Sequence, residues 1–545
     1  MRIARRWAVL WLALAVAACA PATPAPSAPS ESASGGAATP RTGGNVTYAL
    51  ARDIAGKWLD PNVVFGGQPD IVIWTQIYDT LLYQAQDQSL QPGLAASWDV
   101  SEDGKEYTFH LRQDVKFHDG TPFTAEAVKF TFDRIMQPGN PSTAYQHFTE
   151  VQSTEVVDDY TVRVTMRNAQ PIFLLRLTRP YNAIVSPTAV RTLGPEGFGQ
   201  KPVGTGPFML QEWVPGERFV VRRNPDYHWG PPFFKHQGAP YLDTVTFRVI
   251  PEASVRVAAL ESGEVDAIEF VPPPDLERLK ADPAYRVQSA KRAGAPTMLY
   301  LNTQLAPTSE LAVRRALLLG TDREAINQTA YLGAQFASYG FMQPQMYAYA
   351  ADLEPRMRTN VEQAKQILDE AGWRPGPDGI RVKDGRPLEL QGVFTGSPTL
   401  PFELLQAQWR ALGVKLNIRV LNKAGHDEAA QRGQGNVFAV AVSGYTSEDP
   451  DLLRLVYGCE EVGQRNFSHY CNPEFDRLAT EAYLTPFGDK RVGLYHELQE
   501  KLLADAVAVP FIGENVYVAT KASVRDLWTN NLGLYPVFVD TWLDR

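Results

Sequence analysis

From Gly44 to its end the chain runs on for about 500 residues with no internal repeat and no low-complexity linker, far more than one hydrophobic core usually holds. The chain must therefore divide into at least two lobes. With no flexible connector between them, those lobes must be joined by short structured crossings. A content of 44% hydrophobic and 21% charged residues suits an ordinary globular body.

Local patterns interleave strands and helices along this body. Asn45-Val-Thr-Tyr-Ala-Leu50 reads as a short strand, and Leu59-Asp60-Pro61 ends regular structure. Helical spacing follows through Ile73, Ile77, Leu81 and Leu82. Tyr107-Thr-Phe-His-Leu111 alternates as a strand, Asp119-Gly120 signals a turn, and Thr124 precedes a helix with Val128, Phe132 and Ile135 on one face. Val162, Val164 and Met166 alternate with polar neighbours, as do Val245, Phe247 and Val249, and then Val414, Leu416, Ile418 and Val420. Thr321 with Glu324, and Thr359 with Glu362, have capping-box spacing. The class is α/β with substantial mixed α+β character.

The first residues place Arg2, Arg5 and Arg6 ahead of an apolar run from Trp7 to Ala18, the layout of a secretory signal. The run is about twelve residues, whereas a helix crossing a membrane needs roughly 20. Residues 1–18 are thus expected to be a removed signal peptide. Residues 20–44 are nearly all Pro, Ala, Ser, Thr and Gly, with almost nothing to bury, and read as a disordered tether.

A net charge of −9 without clusters of Lys and Arg disfavours nucleic acid as a partner. No Walker lysine motif, HExxH or nucleophile elbow occurs. His118 beside Asp119 is explained by a hairpin turn, and Gly204-Thr-Gly206 by close passage of backbone at a domain crossing. The eight histidines show no tight metal-ligand spacing. Besides Cys19 the chain has only Cys459 and Cys471, which an exported compartment allows to pair; two free thiols, or a metal site with His469, are the alternatives.

Val16-Ala17-Ala18-Cys19 resembles the bacterial lipobox, which implies a lipid on Cys19 and a tether over residues 19–43. Residues 92–134, PGLAASWDVSEDGKEYTFHLRQDVKFHDGTPFTAEAVKFTFDR, closely resemble the signature stretch of family 5 extracytoplasmic solute-binding proteins, the dipeptide-, oligopeptide- and nickel-binding components of ABC importers. The resemblance continues at Pro202–Phe208, Asn224–Trp229, Pro240–Arg248, Leu260–Asp266, LYLNTQLAP, VRRALLLGTDREAI and NFSHYCNPEFDRL, and covers nearly everything after residue 44.

This resemblance implies a two-lobed periplasmic-binding-protein fold of type II, closing on ligand like a flytrap, with an additional domain inserted in lobe one. Mapped here, lobe one takes residues 44–75, 205–298 and 513–545, the inserted domain 76–204 and lobe two 299–512. It further implies no enzymatic activity, no cofactor, a monomer, and membrane attachment by the lipid alone. The expected partners are a peptide or other small solute, a permease and its separate ATPase. Within the fold the solute could instead be a nickel chelate or an oligosaccharide. An extracytoplasmic hydrolase or chaperone-like surface protein is the alternative of another class.

In peptide-binding members an acid after a glycine and an aromatic receives the ligand ammonium. The matching stretch is Ser443-Gly-Tyr-Thr-Ser-Glu-Asp-Pro450. Counted from Gly444-Tyr445 the acid is Glu448; counted back from Pro450 the position becomes Thr446 and the acid is lost. Asp449 either substitutes or caps a turn before Pro450. Phe65 and Tyr445 are the expected aromatic contacts, with membership of the core as the alternative for each.

Overall fold

The computed structural model describes residues 39–54, 58–64, 68–87, 89–396, 399–441, 449–530 and 535–544. Among the described residues, strands gather into a seven-stranded, a six-stranded and a four-stranded sheet, with smaller ribbons around them. The first runs in the order Tyr285–Lys291, Asn515–Lys521, Ala267–Glu269, Asn45–Leu50, Thr244–Val249, Arg218–Arg223, Phe208–Val214. The second runs Phe336–Ala337, Ala508–Gly513, Thr297–Leu301, Val437–Ala441, Glu389–Thr395, Lys415–Leu421. Each organises one lobe around a hydrophobic core of its own. The four-stranded sheet, Ala95–Val100, Glu106–Leu111, Thr161–Met166 and Val151–Asp158, organises the additional domain.

The alternation read from the sequence explains which strand faces meet the core. In Thr161–Met166 the residues Val162, Val164 and Met166 are buried, and in Thr244–Val249 so are Val245 and Phe247. On the strand Lys415–Leu421 the pattern fades, because it lies at a sheet edge. Leu416 is buried, Ile418 only partly, and Val420 is exposed. The helix Ala125–Ile135 buries Val128, Phe132 and Ile135, and Thr124 precedes it without a side-chain capping bond. The helix Gln68–Ile77 stops before Leu81 and Leu82; both are buried, but Leu82 opens a strand.

Two helix starts sit one residue beyond the expected caps. Asp322 accepts from Ala325 N–H and Asn360 from Gln363 N–H. Thr321 donates instead to Leu317 O, and Thr359 to Thr321 O. Asp and Asn reach a helix-end N–H as readily as Thr, so with adjacent candidates tertiary partners decide.

Among the described contacts that fasten lobe one to the inserted domain are a buried ion pair and a close backbone passage. Arg134, on the helix Ala125–Ile135, forms a bidentate pair with fully buried Asp60 at 2.9 and 2.5 Å. Gly204 and Gly206 lie against the backbone of Ile77, whose carbonyl accepts from Gly206 N–H at 2.9 Å. A Cβ at either glycine would collide with that backbone. His118 belongs to this junction: its Nε2 lies 2.9 Å from Gly206 O, while Asp119 accepts from Thr121 in the tight turn.

Candidate functional site

Strand direction locates the cleft. In lobe one, Asn45–Leu50 runs parallel to Thr244–Val249 and Ala267–Glu269. Asn515–Lys521 is antiparallel to Ala267–Glu269 and to Tyr285–Lys291, so the last of these points the same way as Asn45–Leu50. The chain therefore leaves lobe one at Lys291, on the carboxyl edge of the parallel strands. It enters lobe two at Thr297, paired with Ala441, the carboxyl end of a strand parallel to Glu389–Thr395. The return crossing obeys the same geometry, with Ile512 paired to Thr297 and Asn515 to Lys291. Both crossings thus join carboxyl edges, which face one another across a cleft. Open α/β sheets bind ligands outside the carboxyl ends of their strands.

The crossings are tied to each other. Arg292 N–H donates to Glu514 O at 2.9 Å, and the Arg292 guanidinium pairs with the Glu514 carboxylate at 2.9 Å. The Gln345 amide donates to the carbonyls of Lys291 and Arg292 at 3.0 and 2.7 Å. Asn515 donates to Gln335 Oε1 and Ala334 O at 2.6 and 2.9 Å.

On the lobe-one edge, Glu269 ends its strand fully buried and accepts from Ala51 N–H at 2.7 Å, just where the chain leaves Asn45–Leu50. Arg256 donates to the carbonyls of Ile250, Pro251 and Glu269, so one guanidinium ties together the ends of the two strands that flank Asn45–Leu50. Burial pushes the Glu269 carboxyl up to about 7 from 4.5, against the Ala51 N–H and the charges of Arg256 and Arg52. A carboxyl that keeps its proton longer folded than unfolded loses stability as pH rises. The loss falls between 4.5 and about 7 and levels off above, with a slope of at most about 1.4 kcal/mol per pH unit. Glu269→Gln is expected to flatten the fall. Denaturant midpoints measured on either side of the window check it, and an unaltered slope would assign the titration to another group.

Phe65, Tyr445, Thr446 and Glu448 lie outside the described residues, as does Cys19. Asp449 is fully buried and paired with equally buried Arg491, whose Nη2 stands 3.0 and 2.8 Å from its two oxygens. Burial drives the Asp449 carboxyl up and Arg491 opposes it. Asp449 also accepts from Asp451 N–H at 2.8 Å, the turn-capping role weighed from Pro450. Its carboxylate is thus engaged inside lobe two.

Arg491 was not among the residues singled out from the sequence. Its signal was there: Arg491, Tyr495, Leu498 and Leu502 share one helical stripe, and all are buried. A cation on an apolar stripe demands a buried anion. Cys459 and Cys471 form a disulfide with Cα atoms 4.5 Å apart. His469 instead places its Nε2 2.8 Å from Ala430 O, and among the described residues no cluster suits a metal ion. No described helix is long and apolar enough to cross a membrane.

Comparison with known proteins agrees with this architecture. Residues 89–464 match the family model of bacterial extracellular solute-binding proteins, family 5 Middle. The chain is 30% identical over 465 residues to Di/tripeptide-binding protein 1 of Pseudomonas aeruginosa, covering 81% of this chain and 84% of that one. Heme-binding protein A of Haemophilus influenzae is 28% identical, covering 88% and 90%. The Helicobacter pylori periplasmic binding protein DppA, solved with the peptide STSA, superposes with a TM-score of 0.72 at 27% identity, covering 93% of this chain and 99% of that one. The chain belongs to the bacterial extracellular solute-binding proteins of family 5.

Proposed function

We propose that the chain captures short peptides between its lobes and delivers them to the permease of an ABC importer, whose separate ATPase supplies the energy. The observation that carries this reading is a cleft between two carboxyl sheet edges in a chain 30% identical to a di/tripeptide-binding protein over 81% of its length. A relative named as the dipeptide-binding protein of Escherichia coli, 29% identical, supports it. Closure on solute needs no reacting group; the chain acts as a binder and not as an enzyme. Lipid on Cys19, with the Pro- and Ala-rich tether behind it, would keep the receptor near its permease.

Glu448 is the proposed partner of the peptide ammonium, and Tyr445, Thr446 and Phe65 are further proposed ligand contacts. Glu448→Gln should weaken peptide binding by more than about tenfold, given roughly 1.5–3 kcal/mol for a charged hydrogen bond. Calorimetry with a dipeptide series checks this, and unchanged affinity removes Glu448 from the site. A second reading, heme or a metal chelate in the same cleft, has support in the heme-binding relative and in one named as nickel-binding, 28% identical. Native mass spectrometry of protein purified from its own host separates the readings by the mass of the retained ligand.

A further inference from the structure

Among the described residues, a hydrogen bond joins the inserted domain to lobe two across the cleft. The hydroxyl of Tyr483, on the last turn of the helix Pro473–Leu484, donates to Gln170 Oε1 at 2.7 Å. Gln170 is a rigid acceptor. It is buried, its main-chain carbonyl receives Tyr107 OH at 2.8 Å from the four-stranded sheet, and its Oε1 also accepts from Arg176 Nη1 at 3.5 Å. Tyr483 is held as firmly from the other side, with the Arg454 guanidinium 4.8 Å over its ring. Arg454 is bidentate to Asp451 at 2.7 and 2.8 Å, Asp451 N–H donates to Asp449, and Asp449 pairs with Arg491. The positive charge of Arg176, in the inserted domain, also reaches Asp449.

The geometry points to Tyr483 and Gln170 as a closure latch: a positioning pair through which the inserted domain holds lobe two shut. The line of contacts runs without a break from the inserted domain to Asp449, the residue after Glu448. Solute and latch therefore favour the same closed arrangement, and each reduces what the other must supply. This inference rests on the two-lobed fold and not on the identity of the solute.

The test is made on solute-free full-length protein, with spin labels at exposed Val157 in the inserted domain and Val420 in lobe two, read by pulsed electron resonance. Tyr483→Phe removes the hydroxyl while leaving the ring under Arg454, and Gln170→Met removes the acceptor. Each is expected to lower the closed-to-open ratio by roughly two- to tenfold, the worth of one net hydrogen bond. The double variant should fall no further than either single one. A shift with Tyr483→Phe alone would mean a role confined to lobe two and would overturn the latch. Additive losses, no loss, or a wild-type chain with no closed population would overturn it equally.

Discussion

Replacing Arg491 by methionine is expected to destabilise the chain by about 3–5 kcal/mol, because it strands the Asp449 carboxylate in the interior of lobe two. Both side chains have no exposed surface, so water cannot take over the lost partner. The guanidinium is also stacked 4.7 Å from the Phe487 ring centroid and 5.3 Å from that of Tyr495, and methionine would preserve much of that apolar contact. The loss is therefore one of charge more than of volume. Asp449→Leu combined with Arg491→Met removes both charges and should recover most of the stability. Denaturant unfolding of the three variants is the measurement. If the double variant is as unstable as Arg491→Met alone, packing and not an uncompensated charge is the cause. Because Asp449 follows directly on Glu448, Arg491→Met should also weaken solute binding under conditions where the protein remains folded.

The second large effect belongs to Cys459 and Cys471. They close a loop with a sequence separation of 12. Removing such a cross-link frees the unfolded chain and should cost about 3 kcal/mol. Changing both cysteines to alanine tests this without leaving a free thiol. The folded loop has other restraints, since the Asn466 amide donates to the carbonyls of Gly458 and Tyr470 at 3.0 and 2.7 Å. The expected outcome is thus a lower unfolding midpoint with solute affinity retained. An unchanged midpoint would mean that the unfolded chain keeps this loop compact without the bridge.

What the sequence disclosed and what it withheld follow from the range of the forces involved. Strand faces such as Val162-Val164-Met166, and the turn at Asp119-Gly120, depend on neighbours along the chain, so alternation and turn chemistry reveal them. Gly204 and Gly206 were legible as a close passage, although Ile77, the backbone they admit, lies far away in sequence. The burial of Glu269 was not legible. Ala267–Glu269 is too short to show a pattern, and only the packing around it determines that its carboxyl meets Ala51 and not water. The Asp449–Arg491 pair was legible by halves. Pro450 marks Asp449 as a turn residue, while Arg491 carries no such sign, because helical periodicity is read from apolar residues and a cation is expected at the surface. The cross-cleft pairing of Gln170 with Tyr483 leaves no local trace at all.

The bond between Arg292 and Glu514 has a mechanical meaning. Two crossings free to bend separately would let the lobes twist, slide and rock. Stitched together at 2.9 Å, they move as a single ribbon. A ribbon between two stiff sheets bends most easily about one axis, so the lobes are expected to open like a book and not like a ball joint. Every solute that binds must then be recognised along one path of approach, and differences among solutes register only as how far along that path the covers come to rest.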